Sequence, residues 1–191
     1  MKIAITGHSA GIGQAFAKIL TDRGHEIIGL SKRDGNNIRN VPKIIEHILP
    51  CDLFINNAQA GYAQTELLYK VWESWQNVPN KHIWCISTMM TELPTNPDIK
   101  EQSDVEISLY RNQKVALEEA VTQLKFKSYS PQIILIRPGA VATQHYQNEP
   151  WPAANCQSWV NTVIDYITIA DQRNMTISEI SLTASKTPIG I

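Results

Sequence analysis

The sequence predicts an α/β domain, a doubly wound and mostly parallel sheet with helices on both faces. Three observations predict it. Short apolar runs at residues 3–5, 26–30, 52–55, 82–87 and 132–136 alternate with stretches of helical spacing at 14–21, 43–49, 66–75, 106–124 and 157–169. Strand and helix alternating from the start of a chain is the pattern of parallel crossover units. Gly7, Gly11 and Gly13 stand between the first strand and the first helix. There, glycine lets the backbone turn tightly and approach a diphosphate. Finally, the strands end in polar turns, Asn56-Asn57-Ala58-Gln59-Ala60-Gly61 above all, at the carboxyl edge where open α/β sheets hold ligands.

The totals narrow the classes. A chain of 191 residues fits a single domain over 1–191 with a real core. Hydrophobic residues at 43% and charged residues at 18% describe a globular chain. A net charge of −1 gives no basic field for nucleic acid. No apolar run is long enough for a bilayer, and the first residues read as a strand, not a secretion signal. Cys51, Cys85 and Cys156 are odd in number and widely spaced. They form no zinc or disulfide pattern, so no metal is expected, and idle thiols in a reducing cytoplasm are the default reading.

Each element follows from its residues. After the first strand and glycine loop, Ala15, Phe16, Ile19 and Leu20 line one helix face until Arg23-Gly24-His25 stops it. The second strand holds Ile27, Ile28 and Leu30 and ends in Ser31-Lys32-Arg33. In such sheets an acidic side chain at this point holds the ribose hydroxyls of NAD. A small residue followed by two cations suits a ribose phosphate instead, hence NADP, although Asp34 stands close by. Ile38 is a candidate for a very short third strand. Only about a dozen residues separate the second strand from the next helix, so one crossover must be cut down. That helix carries Ile44, Ile45, Ile48 and Leu49 and ends at Pro50.

The helix at 66–75 bears Leu67, Leu68, Val71, Trp72 and Trp75, an aromatic stripe that reads as core or dimer contact. Ser87-Thr88 closes the strand at 82–87. The stretch 89–103, with Pro94 and Pro97, is the longest irregular one and a natural substrate-side lid. A long helix at 106–124 carries Tyr110 and Lys114, and Arg137-Pro138-Gly139-Ala140 breaks the strand that follows. Residues 144–155 read as loop, 157–169 as the last helix, with Trp159 and Val160, and 176–182 as a final strand.

Tyr110 and Lys114 are four apart on one helix and share a face. A nearby ammonium favours the phenolate and draws a phenol's pKa from near 10 toward working pH. The tyrosine can then give or take a proton at a carbonyl or alcohol oxygen. Ser87, at a strand end facing the same crevice, could hydrogen-bond that oxygen.

Together these residues resemble the short-chain dehydrogenase/reductase family. Thr6-Gly7-His8-Ser9-Ala10-Gly11-Ile12-Gly13 is similar to its Thr-Gly-x-x-x-Gly-x-Gly loop. Asn56-Asn57-Ala58 is similar to its Asn-Asn-Ala-Gly turn, with Gln59 in place of the glycine. Ser87, Tyr110 and Lys114 match its catalytic residues, and Arg137-Pro138-Gly139 through Thr143 its Pro-Gly loop. The resemblance implies a Rossmann-like sheet, NADP or NAD, and hydride transfer between the cofactor and a small carbonyl or alcohol substrate.

By that resemblance Tyr110 is the acid/base. Lys114 binds the nicotinamide ribose and lowers the tyrosine's pKa, and Ser87 orients the substrate oxygen. Gly7, Ser9, Gly11, Ile12 and Gly13 cradle the diphosphate, and Ser31, Lys32 and Arg33 the ribose phosphate. Asn56 and Ala58 line the cofactor groove. Pro138, Gly139, Val141 and Thr143 close over the carboxamide and diphosphate. Family members often pair through helices, so a homodimer through the tryptophan-bearing helices is expected.

The departures are a chain shorter than usual and a gap of 23 positions between Ser87 and Tyr110 (110 − 87). The family's relay asparagine also has no clear counterpart, since Gln64, Thr65 or Glu66 falls near its place. These motivate a second reading, a dinucleotide-binding redox sensor without turnover. Epimerisation or dehydration of a nucleotide sugar ranks last, because the chain leaves little room for a sugar-nucleotide domain.

Overall fold

A computed structural model describes residues 1–92, 102–143 and 152–184. The chain runs β1 (Lys2–Thr6), α1 (Gly11–Asp22), β2 (Glu26–Leu30), α2 (Val41–Ile48), β3 (Leu53–Asn56), α3 (Ala63–Trp75) and β4 (His82–Ile86). It continues with α4 (Gln102–Lys125), β5 (Gln132–Pro138), β6 (Val141–Ala142), β7 (Ala154–Asn155), α5 (Cys156–Gln172) and β8 (Glu179–Leu182). Six strands form one sheet in the order β2-β1-β3-β4-β5-β8, and every pairing in it is parallel. The doubly wound α/β expectation holds.

Strand alternation builds two cores, because successive side chains face opposite sides of a sheet. Ala4, Phe54, Ile83, Cys85, Ile133 and Leu135 face α2, α3 and α4, where Ile44, Leu67, Val71 and Leu117 cover them. Ile3, Ile5, Ile55, Trp84, Ile86 and Ile134 face α1 and α5, where Phe16, Leu20, Trp159 and Val163 cover them. Strands buried on both faces explain the continuous apolar runs.

Two expectations change. Ile38 forms no strand: it is a buried turn residue that packs on the α2 side of the core. The chain passes from β2 through a short 3-10 turn, Lys32–Asp34, straight into α2, so β2 is a sheet edge. This is the shortened crossover, for ten residues cannot hold both a strand and a helix. Of the two readings open for the tryptophan stripe, core and dimer contact, Trp72 and Trp75 take the first, and Trp159 is a core residue as well. Ala154–Asn155, expected as loop, instead pairs with Val141–Ala142. Most of the proposed lid falls outside the described residues, which resume at Gln102, where α4 begins. Met89–Glu92, its first part, is a 3-10 turn.

Candidate active site

The carboxyl edge of β1 starts the site. Gly7 (φ +71°) and Gly11 (φ +54°) take left-handed backbone conformations that side chains resist. A Cβ on Gly13 would lie 2.3 Å from the Gly7 carbonyl oxygen, so loop and helix touch backbone to backbone. The Asn57 amide donates to the Thr6 carbonyl (2.9 Å), and the Thr6 hydroxyl oxygen accepts from the Asn57 and Ala58 N–H groups. Two strand ends are thereby bound together beneath the loop. No side chain caps the start of α1. Its first N–H groups keep their partial positive charge for a ligand anion.

A crevice extends to either side of this loop. On the β2 side a cavity of about 680 Å³ is lined by Gly7, Ser9, Ser31, Lys32, Arg33 and Ala58. Among the described residues no carboxylate pairs with Lys32 or Arg33. Ser31 is buried, and its hydroxyl donates to the Asp34 carboxylate at 2.6 Å. On the β5 side a cavity of about 650 Å³ holds Ile12, Thr88, Tyr110, Pro138, Val141 and Thr143. Gly139, also in its wall, lies against Thr183, whose Oγ1 would be 2.3 Å from a Cβ there. Thr143 lies over Gly11. A middle cavity of about 610 Å³ has Lys32 and Gln59 in common with the wall of the first and Tyr110 with that of the second. A separate cavity of about 320 Å³ at the opposite edge of the sheet, walled by Ile3, Trp84 and Ile164, holds none of these residues.

Tyr110 and Lys114 meet as expected. The Lys114 ammonium lies 5.7 Å from the centroid of the Tyr110 ring. It is buried and donates to Gln64 Oε1 (2.8 Å) and to the Ile86 carbonyl (2.9 Å). Burial lowers its pKa from 10.5 to about 8, against the pull of Cys85 and Glu118. Gln64, on the first turn of α3, is itself clamped. Its amide donates to the Asn56 carbonyl (2.7 Å) and the Ile86 carbonyl (3.0 Å), while the Asn56 amide donates to the Gln64 carbonyl (2.9 Å).

Two expected site residues turn elsewhere. Asn56 is fully buried in that clamp and does not line the groove, which Ala58 does. Ser87 is buried, and its hydroxyl donates to the Glu118 carboxylate on α4 instead of facing the crevice. Strand parity is the reason. Ile83 and Cys85 face α4, so Ser87 does too, whereas Trp84, Ile86 and then Thr88 point the other way. Of the two residues, it is Thr88 and not Ser87 that stands in the cavity wall with Tyr110. The Thr88 hydroxyl oxygen accepts from the Met90 N–H at 3.3 Å, which leaves its own proton to be donated. Sequence reasoning passed over Thr88, although alternation along residues 83–88 was the signal that could have found it.

No family model and no curated protein sequence matches this chain. Solved structures do. A short-chain dehydrogenase/reductase from Vibrio parahaemolyticus superposes with a TM-score of 0.75 at 13% identity, over 97% of this chain and 98% of that one. A short chain dehydrogenase from Burkholderia cenocepacia, in complex with NADP, gives 0.68 at 14% identity over 96% and 88%. The 3-alpha-hydroxysteroid dehydrogenase from Pseudomonas sp. B-0831, complexed with NADH, gives 0.67 at 16% identity over 95% and 94%. The chain has the fold of the short-chain dehydrogenases.

Proposed function

We propose that the protein is an oxidoreductase of the short-chain dehydrogenase type, working between NADP(H) and a small carbonyl or alcohol substrate. The observation that carries this reading is the buried Lys114 ammonium beside the Tyr110 ring, which lines two cavities, one of them sharing Lys32 and Gln59 with the glycine-loop cavity. The residues present fit a dinucleotide. The uncapped start of α1 and the backbone contact at Gly13 suit its diphosphate, and the cations Lys32 and Arg33 suit a ribose phosphate. Similar structures are complexed with NADP in one case and NADH in another, so NAD is the alternative cofactor.

Each residue has a task in this reading. When bound, the nicotinamide supplies or accepts the hydride. Tyr110 gives a proton to the substrate oxygen in reduction and takes it back in oxidation. Lys114, mostly charged at neutral pH with a pKa of about 8, favours the Tyr110 phenolate. Thr88 donates its hydroxyl proton to the same substrate oxygen and orients it, the part expected of Ser87. Pro138, Gly139, Val141 and Thr143 cover the reacting end of the crevice and keep water from it.

The test is direct. Fluorescence titration with NADPH and NADH is followed by a screen of aldehydes, ketones and quinones for loss of NADPH absorbance. Tyr110→Phe should lower turnover about 10²- to 10⁴-fold and leave NADPH affinity nearly unchanged. Equal activity in the variant removes the mechanism. The turning of Ser87 toward Glu118 favours one second reading, a dinucleotide-binding sensor, and tight NADPH binding without turnover would select it. The proposal keeps a homodimer, and light scattering tests it. The three cysteines are free thiols, as a reducing cytoplasm would leave them. Among the described residues no helix is long and apolar enough to cross a membrane.

A further inference from the structure

We propose that Glu118 is a positioning residue that aims the Thr88 hydroxyl into the reaction cavity, with Ser87, Thr91 and Arg137 as the contacts through which it acts. The inference rests on the oxidoreductase reading and assigns a part to a network that reading leaves unused.

Glu118 lies one helical turn beyond Lys114 on α4, on the same face. Its carboxylate collects donors from three other parts of the fold. On Oε1 it accepts from the Ser87 hydroxyl, at the end of β4, and from the Thr91 hydroxyl at 2.9 Å, in the 3-10 turn that follows. On Oε2 it accepts from Arg137 Nε at 3.0 Å, near the end of β5, and Arg137 Nη2 lies 2.9 Å away. The Glu118 and Arg137 side chains are each only 14% exposed. Arg137 is itself anchored by Glu179 of β8 at 2.8 Å. Arg111, on the same helix as Glu118, donates to the Met90 and Thr91 carbonyls at 3.2 and 3.0 Å.

The geometry converges on Thr88, which stands in the cavity wall with Met89, Met90 and Glu92 and is the one of these four with a hydroxyl. Thr88 sits between Ser87 and Thr91, and both are held by one carboxylate oxygen. The Thr91 hydroxyl is the hinge, because its single proton lies between two acceptors, Glu118 Oε1 at 2.9 Å and the Thr88 carbonyl at 2.8 Å. The Met90 N–H that binds the Thr88 oxygen belongs to the same turn. Because Glu118 shares its helix with Tyr110, the carboxylate fixes the donor from β4 and the acid/base from α4 in one frame. A reacting geometry needs such a frame: a misplacement of about 1 Å can cost about 100-fold in rate.

A brace that serves only stability would lower activity equally whether or not Thr88 has a hydroxyl, so a double-mutant cycle on kcat separates the two roles. Glu118→Gln keeps the shape but turns one acceptor into a donor facing Arg137 or the two hydroxyls. It should lower kcat about 10- to 100-fold, with NADPH affinity little changed. In the Thr88→Val background, which has already lost the hydroxyl, the same change should cost about twofold or less. An equal fold-loss in both backgrounds overturns the proposal. If Glu118→Gln does not fold, Ser87→Ala replaces it in the cycle, since it leaves the Arg137 pair intact. Ser87→Thr should then restore kcat. If the unaltered protein turns over none of the carbonyls in the screen, the oxidoreductase reading fails by itself. The brace is then judged from a crystal structure of Ser87→Ala. A shifted Thr88 side chain supports it, and a Thr88 Oγ1–Met90 N contact kept at 3.3 Å overturns it.

Discussion

Replacing Lys114 with Met should abolish turnover yet make the protein more stable at pH 7. Lys114 titrates at about 8 when folded and at 10.5 ordinarily, a drop worth about 3 kcal/mol. The sign follows from proton counts. Between pH 8 and 10.5 the unfolded chain holds the proton and the folded one does not, so stability rises with pH across that window. Below 8 both forms are charged, and the whole burial cost is carried. Met fills a similar volume without a charge. It leaves Gln64 Oε1 without its donor, at a cost of about 1–3 kcal/mol. The Ile86 carbonyl still accepts from Gln64 at 3.0 Å.

The net gain at pH 7 is therefore up to about 2 kcal/mol, or an increase in Tm of a few degrees at about 2–4 °C per kcal/mol. At pH 10.5 and above the wild type has shed its penalty, and the variant should be the less stable of the two. Thermal melts of both proteins from pH 6.5 to 11 measure this crossing. A variant less stable at pH 7, or a difference that does not change with pH, refutes the assignment of Lys114 as a buried, strained cation.

Lys32→Ala combined with Arg33→Ala should weaken NADPH at least about tenfold and spare NADH, since charge-assisted contacts to a phosphate are lost only with the phosphorylated cofactor. Parallel losses in the two titrations would reject the ribose-phosphate site. Gly13→Ala should abolish binding of both cofactors, because its Cβ would stand 2.3 Å from the Gly7 carbonyl, which is backbone and cannot swing away. A variant that folds and binds NADPH normally would mean that the loop is not the cradle. Thr88→Val should reduce kcat about 10²- to 10³-fold, the cost of removing one aimed donor. Ser87→Ala should cost less, and the opposite ranking in steady-state assays returns the orienting role to Ser87.

Much of the fold was legible because it is written locally. The two-residue alternation of Ile83, Trp84, Cys85 and Ile86, buried on both faces, marks a central strand of a covered sheet. Even the lost third strand was visible as a shortage of residues between Leu30 and Val41, although Ile38 was mistaken for its remnant. Its burial comes from packing on α2, not from pairing. The site was legible in its outline and not in its details. Asn56 reads as a groove residue in any polar turn at a strand end. Only its exchange of hydrogen bonds with Gln64 shows it to be a clamp. The tryptophans read equally well as core or interface, because a helical stripe does not say what covers it.

The chain by itself determined what depends on neighbours in sequence: strand and helix alternation, the glycine turn at the start of α1, and the placing of Tyr110 and Lys114 on one helical face. Only the tertiary structure decided that Thr88 and not Ser87 stands in the cavity wall, that Gln64 receives the Lys114 ammonium across 50 positions, and that Glu118 gathers Ser87 from 31 positions away. Helical and strand periodicity are short-range steric facts. Hydrogen bonds between distant segments exist only after the two cores have packed and set the height and direction of each strand end.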